Sequence, residues 1–138
     1  MKDKQINVLF IDDETAFIDV LIKRLEKRSI CGLGADSGEA GIALLDNVQV
    51  DIVVLDVCMP GMDGILTLQT IKKRWPFIEV LMLTGHACMN TAKQGMDAGA
   101  FDYLMKPIDI DELLFKLEDA YGKIQISKKQ YIRSKGRN

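Results

Sequence analysis

Only three cysteines occur in the 138 residues: Cys31, Cys58 and Cys88. Their odd number and their spacing form no disulfide framework, so free thiols in a reducing compartment are expected. His86 stands near Cys88, yet no CxxC pair supports a metal site there. No apolar run approaches the ~20 residues needed to cross a bilayer. The start, Met1-Lys2-Asp3-Lys4-Gln5, leads directly into a strand and has no secretory apolar region, so a cytoplasmic location without membrane contact is expected. Neither charge sign dominates: the net charge of −2 makes no general case for nucleic acid or an anionic membrane as partner. A GxGxxG turn after the first strand is missing, which excludes a dinucleotide site, and so is GxxxxGK[ST], which excludes a P-loop. There is no internal repeat and no low-complexity tract.

What is present is a chain that is 48% hydrophobic and 28% charged, of a size for one folded domain. Apolar runs of strand length alternate with stretches of helical period, the pattern of βα units around a parallel sheet. Strands are expected at residues 6–11, near 31–35, and at 51–55, 80–83 and 101–105. Helix one presents Phe17, Val20, Leu21 and Leu25 at i, i+3, i+4 and i+8. Helix two is capped by Asp36 or Ser37 and presents Ala40, Ala43 and Leu44. Helix three covers about residues 65–74. Helix four, about 90–98, has a thin apolar face of Ala92, Met96 and Met89, is weakened by Gly95, and ends at Gly99. Helix five starts at Asp109 or Asp111 and shows Leu113, Leu114, Leu117, Ala120 and Tyr121 at helical spacing. Right-handed crossovers then give a doubly wound sheet with helices on both faces. Residues 124–138 are rich in Lys and Arg and read as a basic tail, either an extension of helix five, a linker stub or disordered.

The chemistry sits where the strands stop. Strand one ends on Asp12, Asp13 and Glu14. Strand three ends on Asp56, ahead of Met59-Pro60-Gly61. Strand four ends on Thr84-Gly85 and strand five on Lys106-Pro107. In an open α/β sheet, functional groups gather beyond the carboxyl ends of the strands. Three carboxylates brought together repel one another and need a counter-charge. A hard dication with oxygen ligands supplies one, and a phosphoryl group accommodates both the dication and a lysine. A carboxylate can itself attack phosphorus to give an acyl phosphate. The Thr84 hydroxyl can donate to a phosphoryl oxygen, and backbone N–H groups after Asp56 and Thr84 can complete the cradle.

At these residues the chain resembles the receiver domains of two-component response regulators. The similarity runs over about residues 5–123. It rests on Asp12-Asp13, Leu55-Asp56-Val57-Cys58-Met59-Pro60-Gly61-Met62-Asp63-Gly64, Leu83-Thr84-Gly85-His86-Ala87, Gly99-Ala100-Phe101-Asp102-Tyr103 and Lys106-Pro107, in that order. The resemblance implies a flavodoxin-like (βα)5 fold with a five-stranded parallel sheet in the order 2-1-3-4-5, residues 1–123 forming the receiver. It implies Asp56 as phosphoacceptor, Asp13 and Asp56 as ligands of Mg²⁺ or Mn²⁺, the Cys58 backbone carbonyl as a further ligand, and Asp12 acting through water. Lys106 would partner the phosphoryl group, with Thr84 and Tyr103 as switch residues and the backbone of Met59 and Gly85 as cradle. The Lys106–Pro107 peptide would be cis.

The implied partners are a sensor histidine kinase or phosphotransfer protein, and a downstream effector domain or partner protein. Nucleic acid would be met only through an output domain, and a phosphorylation-dependent homodimer is left open. The chain would act on no outside substrate, catalysing only its own phosphorylation and dephosphorylation. Dehalogenase-type phosphatases also use a strand-end aspartate, but they place an acid two residues later, where this chain has Cys58. The alternative is a degenerate receiver that serves as a phosphorylation-independent interaction module.

Overall fold

A computed structural model describes residues 5–136. The first four residues, and Arg137 and Asn138 at the end of the basic stretch, lie outside them. Five strands, β1 (Ile6–Ile11), β2 (Ile30–Ala35), β3 (Ile52–Asp56), β4 (Glu79–Thr84) and β5 (Asp102–Met105), form one parallel sheet in the order β2-β1-β3-β4-β5. The helices α1 (Thr15–Glu26), α2 (Gly38–Leu45), α3 (Gly64–Arg74), α4 (Met89–Asp97) and α5 (Ile110–Gly136) connect and follow them. This is the expected doubly wound (βα)5 arrangement.

The central strands carry unbroken apolar runs over residues 8–11, 52–55 and 80–83 because both of their faces are covered. One face packs Val8, Phe10, Val54, Leu81 and Leu83 against α1 and α5 through Leu21, Leu25, Leu113 and Leu117. The other packs Leu9, Ile11, Val53, Leu55 and Met82 against Leu45, Leu68, Ile71 and Ala92 of α2, α3 and α4. Strand order reverses between β1 and β3, so their carboxyl ends flank the crevice where such sheets carry their functional groups.

Three helix faces differ from the sequence reading. In α1 the buried residues are Ile18, Leu21 and Leu25, while Val20 is 59% exposed. Phe17, Ile18, Val20, Leu21 and Ile22 are all apolar, so periodicity alone leaves the phase of this helix open. In α2 the buried residues are Gly38, Gly41 and Leu45, and Ala43 is exposed. A Cβ on Gly41 would lie 2.8 Å from Ile11 Cγ1, so the small residue lets α2 approach β1 closely. Ser37, not Asp36, caps this helix by accepting from the Ala40 N–H. In α4 the buried residues are Ala92 and Gly95, and Met96 is exposed. Gly95 is therefore a packing residue: a Cβ there would meet Met82, whose Cε is 2.8 Å away. The thin apolar face stands, but the glycine serves the contact with β4 rather than merely weakening the helix.

The stretch read as a tail begins inside the core. Ile124 is 2% exposed and packs with Leu113, Leu117 and Ala120. Helix α5 continues without a break to Gly136, and Tyr131 meets Phe77 edge-on at 5.5 Å between ring centroids. The basic residues of this extension from Lys129 onward are exposed.

Candidate functional site

Strand register delivers the acids. Leu55 pairs with Ile11 in the β1–β3 ladder, and β3 and β1 then end on Asp56 and Asp12-Asp13 at the same edge. Asp12 and Asp56 are buried, at 1% and 4% exposure, whereas Asp13 is open to solvent. One carboxylate oxygen from each of the three lies within 4.8 Å of the others.

Lys106 reaches this cluster from the end of β5. Its Nζ lies 2.8 Å from Asp12 Oδ2, 2.8 Å from Glu14 Oε1 and 3.2 Å from Asp56 Oδ2. The Lys106–Pro107 peptide is cis, and the Lys106 N–H donates to the Thr84 carbonyl at 2.8 Å. Asp12 Oδ1 accepts from the Glu14 N–H at 2.9 Å, and Asp56 Oδ1 accepts from the Cys58 N–H at 2.8 Å. Asp12 Oδ2 makes a charge contact with Lys106 but receives no aligned hydrogen bond. A buried oxygen in that state can accept a cation.

Three hard carboxylate oxygens at close range match what Mg²⁺ or Mn²⁺ takes, so the residues present fit the expected metal. Asp12, Asp13 and Asp56 could hold it.

The electrostatics agree with a site built for added positive charge. Burial raises Asp56 above the ordinary carboxylate value of 3.8; the Cys58 amide and the Lys106 charge pull it down and Asp12 pushes it up, leaving it raised. Burial acts to lower Lys106, but its contacts with Asp12, Glu14 and Asp56 outweigh that and raise it. A raised carboxyl binds its proton more tightly in the folded chain than in the unfolded one. Stability therefore falls as pH rises from 3.8 through the folded value of Asp56, and ionised Asp56 costs stability at neutral pH. Without divalent cation, Asp56→Asn is expected to melt above the unsubstituted protein at pH 7, with the gap shrinking toward pH 4. Thermal melts across that range check it, and an advantage that grows on acidification would contradict it. The corresponding Lys106 contribution is present below 10.5 and is lost only as pH rises through its raised folded value.

Thr84 is fully buried at the end of β4, and its Oγ1 donates to the Gly85 carbonyl at 3.0 Å. Tyr103 is half-buried against the α2–α3–α4 side of the core. Its carbonyl accepts from Lys116 Nζ at 2.8 Å, and the same ammonium lies 3.2 Å from Asp102, fastening α5 to β5. Met59 is buried in the loop after Asp56, and Gly85 follows Thr84 ahead of a single 3₁₀ turn over His86–Cys88. Asp63 caps α3 by accepting from Leu66 N–H, which fixes the far end of the β3–α3 loop.

Two features went unread in the sequence. Glu14 holds Lys106 from the solvent side; its position in the acidic run was the available signal. The expectation of three free thiols is overturned: Cys58 and Cys88 are joined as a disulfide, with Cα atoms 5.8 Å apart, and only Cys31 is free. The cause is topological. Cys58 and Cys88 follow the carboxyl ends of β3 and β4, which are neighbours in the sheet, so residues 30 apart in sequence come face to face. The pairing also removes Cys88 as a metal partner for His86, and removes any proton a Cys58 thiol could give as a general acid.

Residues 8–118 match the family model of the response regulator receiver domain. The chain is 35% identical over 122 residues to the heme response regulator HssR of Staphylococcus epidermidis, covering 88% of this chain and 54% of that protein. It is 35% identical over 118 residues to the DNA-binding transcriptional regulator NtrC of Salmonella typhimurium, covering 86% of this chain and 25% of that protein. The chain thus spans between a quarter and about half the length of these relatives. Among solved structures, a response regulator receiver domain from Clostridium thermocellum superimposes with a TM-score of 0.82 at 32% identity, over 88% of this chain and 98% of that one. A CheY-like receiver domain from Methanospirillum hungatei gives 0.83 at 27% identity, over 90% and 99%.

Proposed function

Because this chain belongs to the response regulator receiver domain family, we propose that it is a phosphorylatable switch in which Asp56 is the phosphoacceptor. The observation that carries the reading is the meeting of Asp12, Asp13 and Asp56 with Lys106 in one crevice. In the reaction, an Asp56 carboxylate oxygen attacks the phosphorus of a phosphohistidine on a partner histidine kinase or phosphotransfer protein. The new P–O bond forms as the P–N bond breaks and the imidazole leaves. Asp13, Asp56 and the Cys58 carbonyl, with Asp12 acting through water, would hold Mg²⁺ or Mn²⁺, which when bound would supply neutralisation of the phosphoryl charge. Lys106, already 3.2 Å from Asp56, covers a second part of that charge. The N–H groups of Met59 and Gly85 are placed in the two loops that border the crevice and can donate to the remaining oxygens.

The acyl phosphate brings about −1.5 to −2 charge into the site. Thr84 Oγ1, which now donates to its neighbour Gly85, can exchange that bond for a phosphoryl oxygen. Movement of Thr84 and the following turn vacates space into which Tyr103 can turn. The α4–β5–α5 face then shifts between two populations and is read by an output domain or partner. The small buried face of α4, Ala92 and Gly95, suits a segment that rearranges at low cost. A cytoplasmic location goes with this reading; no described helix is long and apolar enough to cross a membrane. With every site position filled, nothing favours the phosphorylation-independent interaction module.

Acetyl phosphate with Mg²⁺ is expected to add one phosphoryl group by intact mass, and EDTA to abolish the addition. Labelling that ignores EDTA would remove the metal from the mechanism. Lys106→Ala is expected to fold and bind Mg²⁺ but to lose the change in α4 hydrogen exchange that phosphorylation brings. An undiminished change in that variant would count against its role.

A further inference from the structure

The sulfurs of Cys58 and Cys88 take no part in the phosphoryl chemistry, yet their bond joins the loops that follow Asp56 and Thr84. Cys58 is two residues beyond Asp56, and its N–H is bonded to the Asp56 carboxylate. Cys88 closes the 3₁₀ turn that starts two residues beyond Thr84, and it is the residue from which α4 departs. No side chain caps α4, and only Ala92 and Gly95 anchor it in the core. A covalent link at the residue just before its first turn therefore weighs more there than at a well-packed helix. Cys58 is an exposed residue and Cys88 a partly exposed one, so the pair sits at the surface, within the approach of a small thiol. Their Cα separation of 5.8 Å falls in the ordinary range for a bridge, so the backbone need not move to form one. In the reducing compartment proposed for this chain, a disulfide is generally transient and redox-sensing rather than structural.

We propose that Cys58 and Cys88 form a reversible redox gate: joined, they tether the turn after Thr84 to the β3–α3 loop and hold α4 in its unswitched arrangement; reduced, they release it. This rests on the phosphorylation reading above. Closure needs a low-molecular-weight disulfide as oxidant, such as oxidised glutathione. The sulfur of Cys58, the more exposed residue of the two, attacks one sulfur of that disulfide, whose S–S bond breaks as one small thiol leaves with the proton. The Cys88 sulfur then attacks the Cys58 sulfur and displaces the second small thiol, which takes the Cys88 proton. The protein pair loses two electrons and the small disulfide gains them. An excess of the small thiol runs both steps backward.

The full chain carrying Cys31→Ser, which removes the free exposed cysteine, is equilibrated in reducing and in oxidising glutathione buffers. Thiol alkylation and mass spectrometry are expected to find two thiols in the first buffer and none in the second. A pair that stays joined in excess reduced glutathione, or stays open in excess oxidised glutathione, overturns the gate. Each form is then phosphorylated with acetyl phosphate and Mg²⁺, and hydrogen exchange is followed over residues 85–98. The reduced form is expected to change its exchange there on phosphorylation. The disulfide form should respond about fivefold less, the low end of typical coupling between sites. Adding Cys88→Ser should give the full response in both buffers. Equal responses from the two phosphorylated redox forms overturn the gate while leaving the phosphorylation reading intact. A reduced form that takes up no phosphoryl group sinks that reading and the gate with it.

Discussion

Asp56→Asn is expected to take up no phosphoryl group from acetyl phosphate and Mg²⁺, a complete loss rather than a reduction. The amide lacks the anionic oxygen that must attack phosphorus, and the neighbouring acids are poorly placed to substitute. Asp12 is buried, with one oxygen bonded to the Glu14 N–H and the other against Lys106. Asp13 is exposed and lies off the β3 end that aligns Asp56 with the loop amides. The variant should keep its fold, because removing a buried carboxylate with a raised pKa relieves a desolvation cost. Far-ultraviolet circular dichroism and intact mass on the same sample separate these outcomes. A folded Asp56→Asn protein that still acquires one phosphoryl group would assign the nucleophile elsewhere.

Leu117→Ala is expected to lower unfolding free energy by about 2–5 kcal/mol, the usual cost of leaving a cavity at a filled core position. Leu117 has no exposed surface and packs in the cluster of Phe10, Val54, Leu81 and Leu83. Helix α5 is a single 27-residue element whose buried stripe, Leu113, Leu117, Ala120 and Ile124, covers that face of the sheet together with α1. Phe115→Ala, on the same helix but at 69% exposure, should change stability by no more than about 0.5 kcal/mol. Urea unfolding of the pair checks both, and similar values for the two variants would mean that the stripe does not carry the packing.

The sheet and the crevice were legible because their signals are local. Residues 8–11 and 52–55 are apolar runs too short for buried helices, and each is followed by acids. Parallel order then requires Asp12, Asp13, Asp56, Thr84 and Lys106 to share an edge. What escaped was whatever depends on packing phase or on contacts between loops. Five apolar residues within Phe17–Ile22 leave the face of α1 undetermined, and only contact with the sheet turns Val20 outward. Gly41 and Gly95 carry no hydrophobic signal, yet they are buried because Ile11 and Met82 need their side-chain space. Cys58 and Cys88 form no recognisable spacing because a parallel sheet separates neighbours by a whole βα unit. The pair could have been found by counting from the ends of β3 and β4, but not from the interval between the cysteines.

The central claim is that Asp56 itself carries the phosphoryl group. Its most direct test is borohydride reduction of the acetyl phosphate-treated protein, which converts an aspartyl phosphate to homoserine, followed by peptide mass mapping. The account predicts homoserine at position 56 and at no other aspartate, dependent on Mg²⁺. Conversion at Asp12, Asp13 or a residue outside the crevice, with Asp56 unchanged, would contradict it.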